Sequence, residues 1–223
     1  MEFLHHIFGF NSESPLLFTQ FYFWAFFALV YAVFAMIMEV GTHRTLAKGE
    51  KARLHLRNIF LMAVSWFFYY KTSGIFLLIL LFVTLSDWLI AQQIYCNKTQ
   101  ESTTRAKWWL ALSVVIDLGL LCYFKYAYFF TNVVNNLLGT EFAVFDIFAY
   151  IGNGFSESGR FMVDKIILPV GISFYLFQVM SYTIDVYRGH VKPVKNILDF
   201  GFYVSFFPGL VAGPIVRANE FIQ

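Results

Sequence analysis

Apolar residues along this chain come in long runs that short polar and basic segments separate. The first run, residues 16–38, is about 23 residues long, which is enough to cross a bilayer as a helix. Residues 58–70 form a shorter run that the sequence KTSG ends, and residues 75–94 and 108–124 form two more. The pattern predicts membrane-spanning helices, with the second and third runs forming a hairpin whose first arm is short.

The basic residues between these runs predict the orientation of the chain. They lie in the segment HRTLAKGEKARLHLR after the first run, in the loop before Trp108, and in the segment from Arg188 to Lys195. By the positive-inside rule, these three segments lie in the cytoplasm and the amino terminus lies outside. Residues 126–138 are expected to continue the fourth helix. The loop at 139–164 has no basic excess and is expected outside, with residues 142–151 as a short amphipathic piece on the membrane surface.

Composition excludes several classes of protein. The chain has 223 residues, of which 59% are hydrophobic and 13% charged, whereas soluble domains have about 45–50% apolar and about 25% charged residues. The net charge of +2 and the lack of a basic patch argue against a nucleic-acid partner. Cys96 and Cys122 show no metal-binding or redox spacing, and we expect no metal site. The chain is therefore predicted to be one integral-membrane domain over residues 1–223, an all-α polytopic transmembrane helical bundle.

The run that ends at Arg188 carries polar side chains at helical spacing. They recur at intervals of three and four residues and so share one face of a helix. This polar stripe comprises Tyr175, Gln178, Tyr182 and Asp185, with Ser181 and Arg188 beside it. Two interpretations stay open. The stripe either joins neighbouring helices by hydrogen bonds, or it lines a cavity or substrate path, as polar residues inside membranes often do.

Two further features are unusual at membrane depth. Asp87 and Asp117 each lie inside an apolar run, and each is either a structural contact or part of a polar site. Residues 197–216 contain Pro208, Gly213 and Pro214 and cannot form one straight helix. We expect a broken or re-entrant segment there, with Arg217 at its end.

The two blocks LPVGISFYLFQVMSYTIDVYRG and FFPGLVAGPIVRANEFI, together with a weaker block FKYAYFF downstream of Asp117, resemble the membrane-bound O-acyltransferase family. The resemblance is to its bacterial branch that acetylates alginate and other polysaccharides. It implies that the chain is the amino-terminal half of a longer protein and ends before the family's catalytic histidine. None of His5, His6, His43, His55 and His190 lies in a predicted span or matches that histidine's context.

The resemblance implies an enzyme of a bacterial inner membrane, crossing it several times. It would move an acyl group, in the first instance acetyl, from a cytoplasmic thioester such as acetyl-CoA toward hydroxyls of an extracytoplasmic polysaccharide, directly or through a partner protein that transfers acetyl groups. No bound cofactor is implied, and membrane lipid surrounds the protein. The matching residues would form a scaffold or path, and we expect the chain alone to be inactive. These residues are Gln178, Ser181, Tyr182, Asp185, Arg188, Pro208, Gly213, Pro214 and Arg217.

Two alternatives remain beside this one. The chain could be a non-catalytic membrane scaffold fragment. It could also be a transporter-like membrane protein, since broken helices and intramembrane carboxylates occur there as well. A transporter predicts inverted repeats, and the sequence shows none that is convincing.

Overall fold

The computed structural model describes residues 21–40, 47–155 and 166–206, and every regular element in these ranges is a helix. A 3-10 turn (Gly74–Phe76) joins the second helix to the third, and a π-helical turn (Cys122–Tyr126) joins the fourth to the fifth. The helices are α1 (Phe21–Val40), α2 (Ala47–Ser73), α3 (Leu77–Thr99), α4 (Thr103–Leu121), α5 (Ala127–Leu138), α6 (Ile147–Phe155), α7 (Ile172–Arg188) and α8 (Ile197–Ser205). The all-α prediction is confirmed for the described residues.

Two helical stretches are long and apolar enough to cross a membrane. They are Leu56–Thr99, which contains most of α2 and all of α3, and Thr103–Leu138, which contains α4 and α5. Helix α1 has a shorter apolar stretch, Phe23–Met38. The orientation of the termini stays a prediction.

The break between the second and third apolar runs lies at Gly74. Lys71 to Ser73 remain in α2, and Gly74 then takes a φ of +59°. This left-handed conformation is open to glycine but strained for other residues, so the α-helix ends at Ser73, just before the last residue of KTSG. The prediction of a short first arm is wrong in its length. Helix α2 has 27 residues because the basic segment before the apolar run is also helical.

Helices α3, α4 and α7 form the centre of the bundle. The connection between α3 and α4 is only a few residues long, so these two helices are antiparallel neighbours, and α7 packs against both. Helix α8 packs on α2 and α3, and α1 packs on α2. Leu80, Val83, Leu176 and Val179 are among the fully buried side chains between them. Since lipid is as apolar as these residues, close packing and polar contacts must hold the helices together.

The two segments that were predicted around the outer loop, residues 126–138 and 142–151, both contain helix. Helix α5 confirms the helix expected at residues 126–138, and α6 includes the end of the stretch expected on the membrane surface. Asp146 precedes α6, and its Oδ1 accepts the Phe148 N–H at 3.0 Å, which satisfies one of the free donors at the start of the helix. The position of α6 relative to a membrane stays a prediction.

The last described helix ends early. Helix α8 stops at Ser205, and Phe206 has φ −57° and ψ 107°, which is not helical. A single straight helix over residues 197–216 is therefore excluded, as expected from the prolines. Pro208, Gly213, Pro214 and Arg217 lie outside the described residues.

Candidate functional site

One side of α7 is joined to α8 and to the loop between them. The Gln178 side-chain amide donates to the Tyr203 carbonyl at 2.9 Å. The Tyr182 hydroxyl, fully buried, accepts the Val194 N–H at 3.0 Å. Its ring also packs on Phe200, with 4.7 Å between ring centroids. Each of these polar groups therefore reaches a partner within the bundle.

The loop itself is fixed to α3. The Val194 carbonyl accepts hydrogen bonds from Trp88 Nε1 at 2.8 Å and from Gln92 Nε2 at 2.7 Å. Lys98, also on α3, donates to the Tyr187 carbonyl at 2.5 Å and lies over the Tyr187 ring. Positive charge and donors at this point complement the unpaired carbonyls at the end of α7. The polar end of α7, the loop that contains Val194, and helices α3 and α8 are thus connected. We call the contacts that Tyr182, Tyr187 and Val194 make there the joint.

Asp185 and Arg188 do not form the ion pair that their spacing allowed. The side chain of His190 lies beside Asp185, with 3.5 Å between Nδ1 and Oδ1, and His190 is largely exposed. Arg188 is exposed and Ser181 is half-buried. Whether any residue of the stripe lines a substrate path stays a prediction.

The same buried face of α7 also meets two carboxyl groups, toward α3 and α4. Asp87 on α3 and Asp117 on α4 are fully buried and face each other across the centre of the bundle. We call Asp87 and Asp117 the carboxyl pair. Ser113 Oγ donates to Asp87 Oδ1 at 2.5 Å. Thr183 Oγ1, from α7, lies 3.3 Å from the same oxygen and 2.9 Å from the Val179 carbonyl, so its one proton is shared between these two acceptors.

Several polar atoms around the pair have no hydrogen-bond partner among the described residues. Asp87 Oδ2 and both carboxyl oxygens of Asp117 receive no donor. The Tyr175 hydroxyl is fully buried, unpartnered, and close enough to Asp117 for an electrostatic interaction. Tyr69 contacts Tyr175: the two rings lie edge to face at 6.4 Å, and the two hydroxyls interact with each other. Buried polar groups are nearly always hydrogen-bonded, so a cluster of exceptions indicates a site with a further occupant or role.

Sequence reasoning selected both carboxyl groups but did not bring them together, and it missed Ser113 and Thr183. One signal was available: Ser113 precedes Asp117 by four residues and so lies on the same face of α4. Nothing in the sequence placed that face against Asp87. Within the described residues, no group of three or more His, Cys, Asp and Glu side chains comes together.

Comparisons with known proteins relate this bundle to polysaccharide acetylation. Over 167 residues the chain is 37% identical to the probable alginate O-acetylase AlgI of Azotobacter vinelandii, which covers 75% of this chain and 30% of that protein. The probable alginate O-acetylase AlgI of Pseudomonas aeruginosa is also 37% identical over 167 residues, covering 75% of this chain and 29% of that protein. The chain is homologous to these alginate O-acetylases over three quarters of its own length, in agreement with the resemblance to the membrane-bound O-acyltransferase family.

A second type of relative is also similar to a large part of the chain. The peptidoglycan O-acetyltransferase of Helicobacter pylori is 26% identical over 186 residues, covering 73% of this chain and 31% of that protein. The chain thus spans about 30% of the length of the curated relatives it matches. No family model and no solved structure matches it.

The membrane-bound O-acyltransferase blocks map unevenly onto the described bundle. The first block coincides with α7 and the turns at both of its ends. The weaker block FKYAYFF contains most of the π-helical turn and the start of α5, and such turns are frequent at functional sites. All but the first residue of the second long block lies outside the described residues.

Proposed function

We propose that this chain is part of an enzyme that transfers an acetyl group from a cytoplasmic thioester, such as acetyl-CoA, to hydroxyls of an extracytoplasmic polysaccharide. The observation that carries the proposal is the 37% identity to alginate O-acetylases over three quarters of the chain. The similarity to a peptidoglycan O-acetyltransferase supports the broader acceptor class, a polysaccharide. The enzyme would cross the inner membrane of a bacterium several times, and a partner protein could pass the acetyl group to the acceptor.

The chemistry of acyl transfer to a hydroxyl requires a general base and a group that stabilises the developing oxyanion. His190 is exposed in the loop after α7 and already contacts Asp185. It is therefore poorly placed to act on a substrate inside the bundle. We place the catalytic histidine in a part of the enzyme beyond Gln223.

This chain then contributes scaffold residues and residues that line part of the substrate path. Gln178, Tyr182 and Asp185 would act as scaffold, because their polar groups are already engaged by α8 and the following loop. Ser181 and Arg188 would face the substrate path. We assign Pro208, Gly213, Pro214 and Arg217 to the same path, as the resemblance implies.

The experiment is an acetylation assay with two forms of the protein. Membrane vesicles that contain the intact protein encoded by the gene, with its extracytoplasmic acetyl-transfer partner, are supplied with labelled acetyl-CoA and either alginate or peptidoglycan. We expect base-labile label in one of the polysaccharides, and none from vesicles that contain only residues 1–223. Failure of the intact protein to label either acceptor would contradict the proposed function. Labelling by residues 1–223 alone would contradict the assignment of the base to another part of the enzyme.

A further inference from the structure

The surroundings of the two members of the carboxyl pair are unequal. Asp87 Oδ1 receives the Ser113 hydroxyl at 2.5 Å, and the Thr183 hydroxyl, whose one proton it shares with the Val179 carbonyl, lies at 3.3 Å. Asp117 receives none, although both of its oxygens are buried. Hydrogen-bond donation stabilises the charged form of a carboxyl group. The geometry therefore favours a carboxylate at position 87 and offers no support for one at position 117.

The two groups also lie within hydrogen-bonding reach of each other, and their negative charges would repel. No Lys, Arg or His side chain among the described residues interacts with either of them. Two carboxyl groups that share a buried site in this way do not both ionise; one holds a proton and donates it to the other. A proton on Asp117 would also give Asp87 Oδ2 the donor that it lacks.

A second observation points to the same place. The Tyr175 hydroxyl is fully buried, lies next to the Tyr69 hydroxyl, and also interacts electrostatically with Asp117. A phenol can donate to a carboxyl oxygen or accept from a carboxylic acid, so it can follow the proton in either direction. The other titratable groups near the pair are Tyr69, which contacts Tyr175, and Tyr182, which faces Asp87.

A proton fits this site better than a metal ion. Calcium takes six to eight oxygen ligands at about 2.3–2.6 Å, and magnesium requires near-octahedral coordination. Two carboxyl groups in direct contact, with Ser113 and Thr183 already directed at Asp87 Oδ1, leave no such shell. A shared proton needs no additional space.

We propose that the carboxyl pair is a proton-binding site, in which one proton is held by Asp117 and donated to Asp87 Oδ2, with the Tyr175 hydroxyl as its neighbour. The site lies where α3, α4 and α7 meet. The bound proton therefore changes the charge of the carboxyl pair, at the centre of the bundle, from −2 to −1. Release of that proton would separate the two carboxylates and loosen the contact between α3 and α4. This inference does not depend on acyl transfer.

The test is infrared spectroscopy on the intact protein in nanodiscs, with isotope-labelled aspartate and with light and heavy water. We expect a carbonyl band of a protonated aspartic acid at neutral pH, shifted by both the label and heavy water. Asp117→Asn should remove the whole band. The matched control is Asp199→Asn, on α8. Asp199 accepts a hydrogen bond from Asn58 Nδ2 at 3.0 Å, and the side-chain oxygen of an asparagine can accept the same bond. That control should leave the band unchanged.

Three results would overturn the proposal. The first is the absence of the band in the wild-type protein. The second is a band of full intensity in Asp117→Asn. The third is a band that disappears when sodium, potassium or magnesium ions are added at constant pH, because the site would then hold a cation instead.

A second variant keeps the test decisive if Asp117→Asn does not accumulate. Ser113→Ala retains both carboxyl groups and removes the closest donor to Asp87. Asp87 then competes more strongly for the proton, so the band should move to lower frequency. A band at an unchanged position would contradict the shared proton.

Discussion

The contacts of α7 toward α8 and its contacts toward α3 and α4 differ in how their polar groups are paired. On the side toward α8, Gln178 and Tyr182 each meet a backbone group at 2.9–3.0 Å, and the loop that follows is joined to α3. On the side toward α3 and α4, three of the four carboxyl oxygens of Asp87 and Asp117 have no donor, and the Tyr175 hydroxyl has no partner. Tyr182 is as fully buried as Asp87, Asp117 and Tyr175, so exposure to water does not explain the difference between them.

This difference indicates that the contacts toward α8 stabilise the fold, whereas the groups toward α3 and α4 form a site. A buried hydrogen bond contributes about 0.5–1.5 kcal/mol of net stability, while a buried group left without a partner costs about 1–3 kcal/mol. The hydrogen bonds toward α8 therefore add to the free energy of unfolding. The side toward α3 and α4 contains groups that burial penalises, which is typical of a site that binds a proton or ligand.

The largest expected effect is on the joint. Tyr182→Ala removes a fully buried ring from its contact with Phe200 and should lower the free energy of unfolding by about 3–5 kcal/mol. Tyr182→Phe keeps the ring and removes only the acceptor of the Val194 N–H, so it should cost about 1–3 kcal/mol. Unfolding in lipid nanodiscs measures both variants, and equal costs would show that ring packing is not what stabilises the joint.

The next largest effect distinguishes the two carboxyl groups. Asp87→Leu leaves the Ser113 hydroxyl without the acceptor that it contacts at 2.5 Å, and it should cost about 1–3 kcal/mol. Asp117→Leu removes the proposed donor to Asp87 Oδ2 but leaves the Ser113 hydroxyl on Asp87 Oδ1, so it should cost less, about 0.5–1.5 kcal/mol. The same unfolding measurement compares them. A larger cost for Asp117→Leu would invert the proposed asymmetry.

The two hydroxyl donors to Asp87 should differ in turn. Ser113 donates at 2.5 Å and Thr183 at 3.3 Å, and long hydrogen bonds are weak. Ser113→Ala should therefore cost about 1–2 kcal/mol and Thr183→Val less than about 1 kcal/mol. A double-mutant cycle of each variant with Asp87→Leu isolates the two couplings, and the account requires the Ser113 coupling to be the larger one.

The smallest effect belongs to the exposed end of α7. His190 and Asp185 are 3.5 Å apart and His190 is 65% exposed, so water and salt screen their interaction. His190→Ala should change the free energy of unfolding by less than about 1 kcal/mol. A large change would show that the contact between His190 and Asp185, and not the contact of the loop with α3, fixes this end of the helix.

Several elements followed directly from local sequence. The end of α7 coincides with Gly189, whose φ is +83°, and the glycine of KTSG is where α2 ends. Helix α5 begins one residue from the predicted position. These features depend on backbone conformations that only certain residues adopt easily, so short sequence windows suffice to predict them.

The central site did not follow from sequence, for a physical reason. Asp87 and Asp117 lie on different helices, and only the rotation of α3 and α4 about their axes determines whether they meet. In a membrane that rotation is set by side-chain packing and not by a hydrophobic face, because almost every face is apolar. The length of α2 was missed for a related reason, since its basic first half has helix-forming residues but no apolar run.

The most direct test of the account is a chimera. The segment of the Pseudomonas aeruginosa alginate O-acetylase that this chain matches is replaced by the chain, and the acetyl content of secreted alginate is measured in cells that lack the original protein. We predict that the chimera restores acetylation, and that the chain expressed alone does not. A chimera that inserts into the membrane at normal levels but restores no acetylation would contradict the proposal that this bundle is a working part of such an enzyme.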